Sequence, residues 1–220
     1  MEDYKLDVLS CSQKSGALQF GTFFLKSGRQ SPYFFNSSFM NTSVFLTSLA
    51  TAFSHVILDM NIEFDVIFGL AYKGIPLGAI TTTKLYELDK TKTNIEFIYH
   101  RKEKKDHGEG GNIVGTSIKG KRVLILDDVI TAGTAIREAI DIIKKEEGKL
   151  VGIIEILDRQ EKGDDGETST TEMLRQEYQI PIKAIITSKD IVDYSKNVLN
   201  EENKKMMQQY LEKYAAIDAR

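Results

Sequence analysis

The chain has 220 residues, enough for one sizeable α/β domain with appendages or at most two small ones. Apolar residues make up 41% and charged residues 28%, the balance of an ordinary globular protein rather than a disordered one. Net charge is −3, so no global field favours nucleic acid or an anionic membrane, and an anionic ligand has to be met by local clusters of Lys and Arg. The single cysteine, Cys11, excludes an internal disulfide and fits a reducing compartment, where a buried helical thiol is the expectation. The first residues show no basic region followed by an apolar core, so no signal peptide is expected. The longest apolar stretch, around residues 66–72, is too short to span a bilayer, and a cytoplasmic address follows as the expectation.

Residues 4–18 carry a helical pattern, followed by an aromatic-rich stretch over 20–39 and a second helix-like run. These first 60 residues are expected to form an accessory layer over one edge of a sheet. Residues 65–71, 122–126, 150–157 and 182–187 are nearly continuous apolar runs, and 94–99 alternates, so five strands are expected. Continuous runs point to strands buried on both faces, as in a parallel sheet between helices. Pro76 stands at a plausible first position for a helix over 75–87. Ile136, Ala139, Ile140 and Ile143 recur at helical spacing, with Gly148 placed as a glycine cap. Met207, Tyr210, Leu211 and Tyr214 repeat that spacing near the C-terminus. The alternation implies a doubly wound, mostly parallel α/β fold. It is expected as one domain over 1–220, with a hood at 1–60, a core at 61–195 and a C-terminal helix at 196–220. Two polar stretches, 100–115 and 161–171, read as long loops.

The strongest chemical signal is Val123-Leu124-Ile125-Leu126-Asp127-Asp128-Val129-Ile130-Thr131-Ala132-Gly133-Thr134-Ala135. Four apolar residues end in two carboxylates, and a small-residue loop then opens a helix. A helix N-terminus offers unsatisfied N–H groups and the positive end of a dipole, so a phosphate fits there. Thr131 and Thr134 add hydroxyls, while Ala132 and Gly133 let the backbone close around an anion. The two Asp side chains are acceptors, suited to a diol or the water shell of a metal rather than to phosphate.

This run resembles the phosphoribosyl pyrophosphate (PRPP) motif of type I phosphoribosyltransferases, in which the acidic pair holds the ribose hydroxyls and the loop grips the 5′-phosphate. A second strand end, Tyr72-Lys73-Gly74-Ile75-Pro76-Leu77-Gly78, carries two glycines and a lysine suited to close approach to a polyphosphate. In the resembling family this loop meets pyrophosphate, which assigns Tyr72 and Lys73 to PRPP. A third element, Arg101-Lys102-Glu103-Lys104-Lys105-Asp106-His107-Gly108-Glu109-Gly110-Gly111, joins cations to a glycine-rich tail that disfavours helix and suits a closing flap. It is similar to the catalytic loop of orotate phosphoribosyltransferases, of the monofunctional bacterial and fungal type. The resemblance implies a homodimer in which Arg101, Lys105 and His107 reach the neighbouring subunit's site while Lys102 serves its own.

The fourth element, residues 23–36, resembles the orotate-binding segment of the same family. It assigns Lys26 to both substrates, and Phe34 and Phe35 to the flat pyrimidine. Arg159, in Leu157-Asp158-Arg159-Gln160-Glu161 at another strand end, can hold a carboxylate through two parallel hydrogen bonds. Orotate has a ring carboxylate that uracil and purines lack, so Arg159 argues most sharply for the substrate; Thr131 is placed beside orotate as well. Mg²⁺ is the implied cofactor, held mainly by substrate oxygens and water with no direct protein ligand. The expected catalytic set is Lys73, Arg101, Lys102, Lys105, His107, Asp127 and Asp128. Neither nucleic acid nor membrane is expected as a partner. A purine or uracil transferase would have no need of Arg159 or the cationic loop, and a regulatory PRPP-binding protein would be expected to lack that loop. The insert 162–171 matches nothing assignable.

Overall fold

The structure, a computed structural model, describes residues 1–25, 27–105, 111–163 and 165–219, with the backbone alone at 102–105 and 111. Helix α1 (Asp3–Ser15) stops short of residue 18 because Gly16 takes φ +79° and its N–H turns back to the Gln13 carbonyl. The aromatic stretch that follows pairs as an antiparallel hairpin, β1 (Leu18–Phe24) with β2 (Gln30–Phe35). Helix α2 (Ser43–Met60) is capped by Thr42, whose hydroxyl accepts the Phe45 N–H. With a mean hydropathy of 1.4 it is, among the described residues, the one helix long and apolar enough to cross a bilayer. This helix is a longer apolar segment than the continuous run at 66–72. Leu49, Phe53 and Ile57 bury its apolar stripe in the core.

Beyond it come β3 (Val66–Gly69), α3 (Gly74–Leu88), β4 (Glu96–Lys105), β5 (Gly111–Val114), β6 (Arg122–Asp127), α4 (Thr134–Lys145) and β7 (Lys149–Asp158). The chain continues through α5 (Thr170–Tyr178), β8 (Ile182–Thr187), α6 (Ser188–Val198) and α7 (Glu201–Tyr214). The main sheet has the order β5-β4-β3-β6-β7-β8, parallel throughout except for the antiparallel edge strand β5. Successive residues turn to opposite faces. Ile67, Leu124, Ile154 and Ile185 join the side chains of α1, α2 and α6, while Phe68, Ile125, Ile153 and Ile182 meet Ile136, Ile140 and Leu174 of α4 and α5. Both faces are dry, which is why these strands read as unbroken apolar runs.

Several local expectations change. The N-terminal layer is not confined to one edge, since α2 packs on α3 and on strands β7 and β8. Residues 100–105 extend β4 and return as β5, with Lys105 opposite Gly111, so most of the expected loop 100–115 is a ribbon. Pro76 is the third helical residue rather than the first, still within the turn whose N–H groups lack intrahelical acceptors. Gly148 is one residue too late to be the left-handed cap: Glu147 takes φ +58°, and the Gly148 N–H reaches the Ile143 carbonyl at 2.9 Å. Gly148 packs tightly, since a Cβ there would lie 2.9 Å from Ile118 Cδ1 and 3.1 Å from Ile143 Cγ2 and those side chains would have to shift. The segment after Arg159 is fastened to the C-terminus, with the Lys162 N–H on the Tyr214 carbonyl at 3.0 Å and Ser169 on Asp218.

From β3 the chain crosses to β4 on one side and later returns to β6 on the other. The carboxyl ends of β3 and β6 thus flank a switch point, where an open α/β sheet leaves a crevice for ligand.

Candidate active site

Three of the four sequence elements come to this crevice. At the end of β6, Asp127 and Asp128 stand side by side, close enough to act on each other. Asp128 accepts from Lys73 Nζ at 3.1 Å and from the Ser37 hydroxyl, and Lys73 Nζ also reaches Ser37 Oγ at 2.6 Å. Its backbone carbonyl is held by the N–H groups of Ile156 and Leu157, at 2.8 and 3.2 Å, so the turn is pinned to β7. Asp127 is largely buried. Desolvation first, and the neighbouring Asp128 second, push its pKa up to about 7. An acidic pair in this condition gains from hydroxyl donors or a nearby cation.

Val129 to Ala132 then lead to Gly133, the residue before α4, at φ +76°. Helices α2, α5, α6 and α7 carry side-chain caps from Thr42, Ser169, Thr187 and Asn200, whereas α1 carries none, nor do α3 and α4, which start at the crevice. By helix geometry the first N–H groups of α4 lack internal acceptors, so the loop Thr131, Ala132, Gly133, Thr134, Ala135 offers a row of donors to an anion. Gly133 is also confined sterically, since a Cβ would lie 2.8 Å from Arg137 Nη1, 3.2 Å from Leu174 and 3.3 Å from Thr170. Gly133→Ala is expected to destabilise the chain by about 1–2 kcal/mol, from left-handed strain plus crowding. A thermal melt checks this, and an unchanged Tm would show that the loop tolerates a Cβ there.

The β3 end differs from its sequence reading. The peptide Ala71–Tyr72 is cis, Tyr72 is exposed, and Lys73 stands just before α3. Gly74 and Gly78, expected to admit a polyphosphate, are also required by the chain itself. A Cβ on Gly74 would lie 2.4 Å from the Leu126 carbonyl oxygen, and one on Gly78 would lie 2.6 Å from Phe97. Both glycines let α3 sit close against the sheet.

Arg159 lies at the end of β7, largely buried, with its guanidinium 4.4 Å above the Tyr33 ring. Nε donates to Glu161 Oε1 at 2.8 Å, Nη2 is ion-paired with the same oxygen at 2.7 Å, and Nη2 donates to Ser31 Oγ at 3.3 Å. Burial alone would lower its pKa, but facing Tyr33, Glu161 and Tyr210 it is raised, so the side chain stays cationic. Glu161 also accepts from Tyr210 at 2.8 Å and from Arg29 at 3.1 Å. Burial and that carboxylate push the Tyr210 phenol up to about 12. Strand β2 thus runs from Ser31 beside Arg159 to the turn bearing Ser37 beside Asp128, bridging both halves of the site. Phe34 and Phe35 point to opposite sides of β2: Phe34 stacks on Phe23 at 5.5 Å, and Phe35 packs against the core. One ring at most can offer its face to a ligand.

Arg101 lies half-buried on β4, and its Nη1 has no hydrogen-bond partner among the described residues. Lys26 and His107, with the side chains of Lys102 and Lys105, lie outside the described residues. Sequence reasoning missed Ser37, Glu161, Tyr33, Tyr210 and Glu155. Of these, only Glu155 left a visible signal, as an acid inside an otherwise apolar strand.

No group of three or more His, Cys, Asp or Glu side chains is placed to hold a metal among the described residues. The acidic pair offers acceptors suited to the water shell of a magnesium ion whose direct ligands come from substrate and water.

The sequence profile of the phosphoribosyl transferase domain matches residues 38–188. Orotate phosphoribosyltransferase of Yarrowia lipolytica is 49% identical over 98% of this chain and 99% of its own length. That of Schizosaccharomyces pombe is 51% identical over 97% and 99%. A crystal structure of orotate phosphoribosyltransferase from Francisella tularensis superposes with a TM-score of 0.84 at 38% identity, covering 94% of this chain and 98% of that one. With a donor-lined loop behind an acidic pair, a buried arginine one strand away and relatives alike from end to end, this chain belongs to the phosphoribosyltransferase family and, within it, to the orotate phosphoribosyltransferases.

Proposed function

We infer that the chain transfers the 5-phosphoribosyl group of PRPP to orotate, giving orotidine 5′-monophosphate and pyrophosphate in pyrimidine biosynthesis. The observation that carries this reading is the pairing of an acidic, phosphate-cradling strand end at β6 with the largely buried cation Arg159 at the end of β7. The reaction is displacement at ribose C1: the bond to pyrophosphate breaks, a ring nitrogen of orotate supplies the new bond, and positive charge builds on the sugar between. No side chain need act as nucleophile. The loop 129–135 binds the 5′-phosphate, Asp127 and Asp128 accept from the ribose hydroxyls, and Arg159 orients orotate by its carboxylate. Lys73, exposed at the β3 end beside Asp128, neutralises the leaving pyrophosphate together with Arg101, Lys102, Lys105 and His107. His107 is the candidate proton donor to it. Magnesium, when bound, would screen the diphosphate charge, with Asp127 and Asp128 holding its water shell. The test is to follow orotate absorbance with Mg²⁺ and PRPP present. Loss of absorbance supports the reading; turnover of uracil or a purine with none of orotate would overturn it.

We propose further that the enzyme is a two-fold dimer whose cationic ribbon acts in the partner's site. Supporting this, β4 and β5, which flank that stretch in sequence, form one edge of the sheet. Mixing inactive Lys105→Ala with inactive Lys73→Ala should then restore activity on subunit exchange. Random pairing makes about half the dimers hybrids, each with one intact site, giving about a quarter of wild-type activity. No recovery, with exchange verified independently, would mean that the ribbon acts within its own subunit.

A further inference from the structure

Among the described residues Glu155 is the one carboxylate with no solvent exposure. It sits inside β7, paired in register with Asp127 of β6 and Ala184 of β8. An acid in such a place is costly unless both oxygens are bonded. Both are: Oε2 accepts the Ile130 N–H at 2.7 Å, and Oε1 accepts the Thr171 hydroxyl at 3.0 Å. Ile130 lies between the acidic pair and α4, with its side chain buried, so its N–H points down into the protein rather than out toward an anion. Thr171 belongs to the first turn of α5, and Thr170 and Leu174 of the same helix line the space beside Gly133, 3.3 and 3.2 Å from where a Cβ would stand. The backbone carbonyl of Asp128 is already fixed by β7. Glu155 therefore supplies the next fastening along the same loop, and through Thr171 it ties that loop to the helix beside Gly133.

We propose that Glu155 is a positioning residue for the phosphate loop: it holds Ile130 from beneath, so that the N–H groups of residues 131–135 face the 5′-phosphate, and PRPP binding depends on it while orotate binding does not. This rests on the functional reading above. Burial first, and the nearby Asp158 second, push the Glu155 carboxyl well above the usual range, so a neutral amide is a fair substitute for it. A Gln carbonyl can still accept the Ile130 N–H, and its NH₂ can donate to Thr171 Oγ1. Leucine fills the volume and leaves the Ile130 N–H orphaned.

The test compares Glu155→Leu, Glu155→Gln and Thr171→Val by thermal melt, by the KM for each substrate and by calorimetric titration with PRPP and Mg²⁺. Glu155→Leu is expected to raise the PRPP KM roughly tenfold with the orotate KM within about twofold, Glu155→Gln to stay within about twofold for both, and Thr171→Val to raise the PRPP KM about threefold. A folded leucine variant with an unchanged PRPP KM, with both KM values rising together, or matched by the glutamine variant overturns the proposal. Should the leucine variant fail to fold, Thr171→Val decides by the same split. A wild-type protein that leaves orotate unconverted sinks the functional reading instead. In that event the PRPP Kd of the same variants still decides the role of Glu155: selective weakening upholds it, and equal Kd values overturn it.

Discussion

Arg159→Ala is expected to raise the KM for orotate about a hundredfold, since losing a charge-assisted two-bond carboxylate anchor costs on the order of 3 kcal/mol. The PRPP KM should move little, because the phosphate loop and acidic pair lie at another strand end. The geometry also says which edge of the guanidinium is available. Nε and Nη2 are engaged side-on by Glu161, while Nη1 has no hydrogen-bond partner among the described residues. An orotate carboxylate would meet Nη1, and would reach Nη2 by replacing its bond to the Ser31 hydroxyl, with the far edge already fixed and the Tyr33 ring below. Arg159→Lys keeps a charge but loses the fork, so it should recover only a small part of the loss. A melt of each variant guards against a folding defect, because removing Arg159 leaves Glu161 with Arg29 and Tyr210 alone. Steady-state kinetics with orotate varied at saturating PRPP make the measurement. An orotate KM unchanged in a folded alanine variant would remove the main physical reason for preferring orotate to uracil.

The parts of the site legible in sequence are those built by adjacent residues. Asp127, Asp128 and the loop to Ala135 follow one strand without a break, so periodicity and turn chemistry alone place them together. Arg159 was visible as a cation at a strand end, but its environment was not. Ser31, Tyr33 and Tyr210 come to it from β2 and α7, and only tertiary packing brings them there. Ser37 had no local mark, since its value lies in where the turn after β2 meets β6. Gly74 and Gly78 have a second use that the sequence does not reveal. A glycine at a strand–helix turn suits either a ligand or a close chain neighbour, and here the neighbours are Leu126 and Phe97. Gly148 was given a cap's role although its size, not its φ, is what the packing uses. The aromatic stretch 20–39 could not be resolved in advance because a hairpin and a buried helix both tolerate dense aromatics. The hairpin declares itself only through the pairing of Leu18 with Phe35.

Asp127→Asn should make the free protein more stable at pH 8 while lowering kcat/KM on the order of a hundredfold, and the two effects have one cause. Desolvation and the charge of Asp128 raise the Asp127 pKa from the ordinary value near 3.8 up to about 7. A carboxyl raised in the folded state favours folding while protonated. That contribution is complete below about pH 4, fades as pH climbs, and is gone above about pH 7. The asparagine variant has no such proton to lose. Its advantage over wild type should be absent near pH 4, grow between about 4 and 7, and level off on the order of 2 kcal/mol, or about 5 °C in Tm, for a chain of this size. Catalysis loses because the cost of ionising Asp127 in the free enzyme is recovered when ribose hydroxyls, and the waters of a bound cation, donate to it. An amide offers one neutral acceptor in place of a carboxylate, and a charge-assisted bond to a hydroxyl is worth roughly twice a neutral one. PRPP with Mg²⁺ should therefore raise the Tm of wild type more than that of the variant at pH 8. Paired melts at pH 4, 6 and 8, with and without ligand, read all of this together. A variant less stable than wild type at pH 8, or a gap that does not change with pH, would show that Asp127 is not the strained carboxylate described, and full turnover would take it out of the site.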